Sequence, residues 1–148
     1  MYQAPAYGDY ERQKADVNYK YSNDAVTNAY GRFISQQRGE RGLGDSFRGY
    51  QRSFPRQTAQ FGQRGLSGSG VQSGVMANSM NNFMGDFARN YGRQQQDLTQ
   101  ELQGYDLNQS NMDAWREQAM AGIEAGKQRA IANDAGALEY LRAIVGGL

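Results

Sequence analysis

Gly65-Leu66-Ser67-Gly68-Ser69-Gly70 divides this chain into two halves of different character. From Val71 nearly to Leu148 the apolar residues recur at three- and four-residue steps and no proline interrupts them, which is the pattern of a long helix. Before the six-residue stretch the chain is rich in tyrosine and arginine, broken by glycine and poor in aliphatic residues. The stretch itself reads as a hinge. Gly65, Gly68 and Gly70 supply backbone angles that other residues avoid, and Ser67 or Ser69 can cap the helix that follows.

Within the long helix, Met84, Tyr91, Leu98, Tyr105, Met112 and Ala119 fall at strict seven-residue intervals. That period favours a left-handed helix–helix seam. Phe87 and Trp115 add apolar companions, but Gln94, Glu101 and Asn108 lie between them, so the seam is wet in the middle. Asn133-Asp134 is expected to break the helix and cap a last one. Met84, Phe87, Tyr91, Leu98, Leu102, Tyr105, Met112 and Trp115 are therefore the expected oligomer interface. The short helices expected before the hinge are too few to cover this stripe.

Working back from the hinge, residues 22–64 read as short helices joined by Arg/Gly-rich loops. Ser22-Asn23-Asp24 carries cap-type residues ahead of Val26, Ala29, Tyr30, Phe33 and Ile34, and predicts a helix ending by Arg38-Gly39. Gly31 weakens that helix by up to about 1 kcal/mol relative to Ala. Gly39, Gly42, Gly44 and Gly49 then predict a loop. Pro55 is expected to break or open a helix, with a short one over Arg56 to Gln63 packed by Phe61. Residues 1–21 hold five tyrosines and read as an N-terminal arm lying along another subunit, because tyrosine gives contact area at low entropy cost; about the first eight are expected to be extended, and Asp9 could cap a helix from Tyr10.

Charge divides along the same lines. Formal balances are −1 over residues 1–31, +5 over 32–64 and −3 over 65–148, which give the net +1 of the chain. Arg48, Arg52, Arg56 and Arg64 interleave with Tyr50, Phe54 and Phe61, so this segment is the expected contact for an anionic partner, either acidic protein or nucleic acid. No named nucleic-acid fold is recognisable.

Catalytic chemistry is nearly absent. Without cysteine or histidine there is no thiol nucleophile, no Ser-His-Asp triad and no His/Cys zinc site. Gly68-Ser69-Gly70 with Gly74 lacks the spacing, the preceding strand and the lysine of a phosphate loop. Asp97 with Glu101 and Asp113 with Glu117 could be paired carboxylates, but they sit among Gln, Asn and Arg and read as a solvated face. No cofactor or metal is expected. No apolar run approaches a membrane span of about 20 residues, and Met1-Tyr2-Gln3-Ala4-Pro5 lacks the basic and apolar regions of a secretory signal.

Arg64-Gly65-Leu66-Ser67-Gly68-Ser69-Gly70-Val71, followed by a Gln- and Asn-rich helix, resembles small virion structural proteins of tailed bacteriophages, with their R-G-L-x-x-S-G turn. Tyr91-Gly92-Arg93-Gln94-Gln95-Gln96-Asp97-Leu98 matches the Y-x-R-x-x-x-D-L-like stretch of the same class. The resemblance covers the chain from Arg64 onward. It implies no catalytic residues and a role in particle assembly at the tail, the head–tail neck or an internal core, in a virion built in the host cytoplasm.

Together these readings predict an all-α subunit: an elongated helical hairpin or small bundle with a long C-terminal helix and an extended N-terminal arm. Its expected role is non-enzymatic, oligomerising and bridging other virion structural proteins. The alternative is an internal, DNA-proximal or ejected protein with weak contact to packaged DNA.

Overall fold

The computed structural model describes residues 7–63 and 72–146. All of them are helical: α1 spans Tyr7–Gln63 and α2 spans Gln72–Gly146. The two helices pack against each other as a hairpin does, so the all-α expectation holds. Residues 1–6, 64–71 and 147–148 lie outside the described residues, and with them the hinge glycines Gly65, Gly68 and Gly70, and Arg64.

The hairpin divides into two compact units. Unit 1 takes residues 1–29 and 106–148, and unit 2 takes residues 30–105. Each pairs a stretch of α1 with a stretch of α2 running the opposite way. In unit 1, Tyr10 meets Gly126 and Tyr21 meets Asp113. In unit 2, Ser35 meets Tyr105 and Tyr50 meets Phe87.

Several local expectations are corrected. The tyrosine-rich segment is helical from Tyr7, forming the first turns of α1, with Asp9 placed favourably against the helix dipole. The short helices expected before the hinge are, through Gln63, one helix, the Gly39–Gly49 segment included. The reason lies in spacing. Gly31, Ser35 and Gly39 follow at four-residue steps, as do Gly42 with Ser46 and Gly49 with Ser53. Four-residue steps line one helix face, and at Gly31, Ser35 and Gly39 that face meets Tyr105 and Leu98 of α2.

Each glycine costs local helix stability, and packing against a partner helix overrides that preference. A side chain at Gly31 would stand 2.9 Å from the Tyr105 ring, and one at Gly39 would collide with the methyl groups of Leu98. Glycine is required at both positions by close approach.

Pro55 sits inside α1 and does not end it. It removes one backbone donor. Nearby, Ser53 Oγ donates to the carbonyls of Gly49 and Tyr50, and Thr58 Oγ1 donates to that of Phe54. Asn133-Asp134 does not break α2, which runs through it.

Among the described residues no hydrophobic side chain is fully buried; the buried residues are Asn28 and Ser35. Packing here consists of half-buried contacts along a seam one helix wide.

Candidate assembly surfaces

In unit 2 the seam is aromatic. The Phe87 ring stacks on Tyr50 with centroids 4.1 Å apart, Tyr50 stacks on Phe83 at 5.3 Å, and Tyr91 tilts against Phe87 at 5.4 Å. Such pairs contribute about 0.5–1.5 kcal/mol beyond area burial. Further along, Leu98 lies over Gly39, and Tyr105 lies over Gly31 with its hydroxyl 3.2 Å from Ser35 Oγ. Ser46 Oγ donates to Gln94 at 2.8 Å.

Unit 1 has a polar seam. Lys14 Nζ donates to Glu124 at 2.9 Å, and Lys127 reaches Glu11 at 3.4 Å. The Tyr21 hydroxyl donates to the Asp113 carboxylate and accepts from Gln109 at 3.2 Å. Buried Asn28 accepts from Asn108 at 2.9 Å, and Arg116 donates to Asn18 at 3.0 Å. Lys20 stands 4.8 Å over the Trp115 ring, a cation–π contact.

These contacts shift three groups. The hydrogen bond from Lys14, then that from Gln128, holds the Glu124 carboxyl below its usual range. The bond to Glu124 raises Lys14. The bond to Asp113 raises the Tyr21 phenol, because it stabilises the protonated form.

Of the residues expected at the oligomer interface, Phe87, Tyr91, Leu98, Leu102, Tyr105 and Met112 are half-buried. Phe87, Leu98 and Tyr105 spend their contacts on α1 of the same chain. Met84 and Trp115 stay exposed, at 48% and 38%. The long stripe of α2 thus has a partner within the chain, because α1 is one 57-residue helix and not a set of short ones.

Among the described residues large apolar side chains stay exposed on both helices, Val75, Leu107, Ile131 and Leu138 of α2 among them. Phe33, Phe47 and Phe54 are exposed at 53%, 46% and 38%. They fall at multiples of seven residues, the coiled-coil period, with half-buried Leu43 and Tyr50 each four residues ahead of a phenylalanine. Tyr19 and Val26 of unit 1 are also exposed and fall at the same interval along the sequence. This phenylalanine spacing was available in the sequence. Reading residues 39–49 as a loop concealed it, because a period counts only within a continuous helix.

Unit 2 also carries two open hollows in the groove between its helices. One of about 220 Å³ is floored by Leu43 and Leu98, exists because Gly39 and Gly42 have no side chains, and is rimmed by Asp97 and Glu101. The other, of about 240 Å³, is lined by Tyr50, Phe83 and Phe87, with Asp86 at its edge. Asp86 is held by Arg89. Asp97 and Glu101 have no ion pair among the described residues.

Of the arginines expected to meet an anionic partner, Arg48 pairs with Asp45, while Arg52 and Arg56 are exposed with no ion pair among the described residues. No group of three or more metal-binding side chains occurs among the described residues, and no helix is long and apolar enough to cross a membrane. Compared with protein-family models, with curated proteins and with solved structures, the chain matches none.

Proposed function

We propose that this chain is a non-enzymatic assembly subunit that oligomerises and bridges other structural proteins, in the manner of the small tail or head–tail neck proteins of tailed bacteriophages. The observation that carries the assembly reading is the distribution of apolar side chains. None is fully buried among the described residues, and Phe33, Phe47 and Phe54 on one helix are left partly exposed. Fixing the backbone costs roughly 1–2 kcal/mol per residue, and a two-helix seam buries little with which to offset it. Exposed apolar residues in a periodic stripe mark protein-binding surface. The phage setting rests on the R-G-L-x-x-S-G and Y-x-R-x-x-x-D-L resemblance.

The test has two arms. Sedimentation of the purified chain over a concentration series should show mass increasing above that of one chain. Antibody labelling of purified particles should place it at the tail or neck. A monomer at every concentration, absent from particles, would overturn the reading.

Arg52 and Arg56, exposed and without an ion pair among the described residues, favour one second reading, an internal protein touching packaged DNA. Phosphate binding would give a log–log salt slope of about −0.7 to −0.9 per phosphate neutralised. Tight DNA binding near physiological salt that disappears in an Arg48, Arg52, Arg56 triple-alanine variant would promote it.

A further inference from the structure

We infer that Arg38, Arg41, Arg48, Arg52 and Arg56 form one face of α1 in unit 2 that binds the phosphate backbone of a nucleic-acid duplex, without stacking on bases. The inference rests on the second reading above, contact with DNA, and says which form of nucleic acid the face takes and through which groups. It is compatible with assembly, because the phenylalanine stripe lies on another side of the same helix.

Helix geometry gathers the arginines. Their steps are three, seven, four and four residues, which line one side of a continuous helix. At about 100° per residue they fall within about 80° of arc, roughly 135° round from Gly39, Ser46 and Tyr50, the residues that meet α2. All five are exposed, and over about 27 Å of helix axis only Asp45 shares their arc. Asp45 pairs with Arg48, while the other four arginines have no ion pair among the described residues. Five arginines less Asp45 leave the face four positive charges. Of the other carboxylates, Glu40 lies in the phenylalanine register, seven residues from both Phe33 and Phe47, and Asp97 and Glu101 lie on α2 at the Leu43–Leu98 hollow.

Composition selects nucleic acid over acidic protein. Protein–protein contacts build around an apolar centre depleted of charge. Between Arg38 and Arg56 this arc holds no large apolar side chain. Protein–nucleic acid contacts are more polar and much more positive, and the planar fork of arginine bonds phosphate at two points.

The position of the rings then selects a duplex. Single strands bind where basic groups alternate with aromatic faces on which bases stack. The sequence interleaves Arg48, Arg52 and Arg56 with Tyr50 and Phe54, but the helix separates them. Tyr50 is stacked on Phe87 in the seam, and Phe47 and Phe54 stand about 150° round from the mean direction of the arginines. A duplex presents one charge per about 1.7 Å of axis and keeps its bases stacked, so arginines alone suffice. Phosphate contacts position a protein without reading sequence, so affinity should not depend on base order.

The test is fluorescence anisotropy of labelled duplex DNA, the single strand of the same length and polyglutamate, each titrated with the full chain at about 50 to 200 mM salt. The duplex should bind most tightly, with a log–log salt slope of about −3 to −4, since four net charges release about 0.9 ions each. Arg52→Gln with Arg56→Gln should make that slope shallower by about 2. Asp45→Asn frees Arg48 and adds a charge, so it should bind more tightly with a slope steeper by about 1, a gain that misfolding does not produce. Phe54→Ala should leave duplex affinity unchanged. A single strand bound as tightly as the duplex, binding lost in Phe54→Ala at unchanged helix content, or an Asp45→Asn variant that binds no more tightly overturns the inference and leaves DNA contact in place. Polyglutamate bound more tightly than either nucleic acid, or no nucleic acid bound at the lowest salt, overturns both the inference and the reading it rests on.

Discussion

The two units use the same pair of helices and hold them together by different chemistry. Unit 1 joins α1 to α2 through Lys14–Glu124, Tyr21–Asp113 and Asn28–Asn108. Unit 2 joins them through stacked rings at Tyr50, Phe83 and Phe87 and through side chains set over Gly31 and Gly39. Hydrogen bonds and ion pairs are directional and add little net stability at an exposed seam. Their main effect is on register, since a shift of one helix leaves donors and acceptors unmatched. Ring stacking and close packing contribute more energy and tolerate more disorder. Register is therefore specified mainly by unit 1, and adhesion between the two helices comes mainly from unit 2.

The strongest way to break that contrast is Phe87→Ala. Phe87 contacts Phe47, Tyr50 and Tyr91, so its ring is the hub of the aromatic seam. Removing a buried Phe costs about 3–5 kcal/mol, and a half-buried one toward the low end, about 3 kcal/mol. Amide hydrogen exchange should speed up over residues 43–57 and 80–94 and leave residues 10–28 unchanged. Equal acceleration in both units would show that the hairpin opens as one cooperative body.

This seam also shows where the sequence was legible. The period-seven set in α2 was readable because it is long, uninterrupted by proline and made of large apolar residues, and at Leu98 and Tyr105 it is the face α2 turns to α1. The α1 half was not readable as one helix. Gly39, Gly42, Gly44 and Gly49 carry strong local loop signals, and only the position of a second helix turns Gly31 and Gly39 into packing residues. Propensity is local, whereas the reason for those glycines lies some sixty residues away in Leu98 and Tyr105. The polar partners of unit 1 were equally hidden. Nothing about Lys14 or Tyr21 alone announces Glu124 or Asp113, since a hydrogen bond between helices leaves no periodic trace.

A second comparison sharpens the packing argument inside unit 2. Gly39→Val places a branched side chain against Leu98 and should destabilise by about 2 kcal/mol, the usual cost of overpacking. Gly42→Ala meets no atom within 4 Å and should stabilise by up to about 1 kcal/mol, through helix propensity and a less flexible unfolded chain. Urea midpoints measure both. The opposite signs are the diagnostic: if Gly42→Ala also destabilises, the small-residue seam extends to Gly42 and the hollow beside it is closed in solution.

The smallest expected effect is the response of unit 1 to pH, and its sign follows from the three shifted groups. Glu124 titrates below its ordinary value of 4.5, so the support it gives is present above that value and is lost as pH falls through the lower, folded one. Lys14 and Tyr21 titrate above their ordinary values of 10.5 and 10.0, so their support is complete below those values and is lost as pH rises through the higher, folded ones. Unit 1 should thus be steady across the neutral range and loosen at both extremes. The ring contacts of Phe83 and Phe87 in unit 2 involve no carboxylate, so the acid step has no counterpart in them. Trp115 is the only tryptophan in the chain and lies in unit 1 under Lys20, so its fluorescence reports on this unit. Its emission, followed from acid to alkali, should change in two steps outside the neutral plateau, and Glu124→Gln should flatten the acid step alone. These groups are solvent-accessible, so added salt should shrink both steps. A Glu124→Gln variant with an unaltered acid step would mean that Lys14–Glu124 does not hold the unit, and that its register rests on Tyr21, Asn28 and their amide partners.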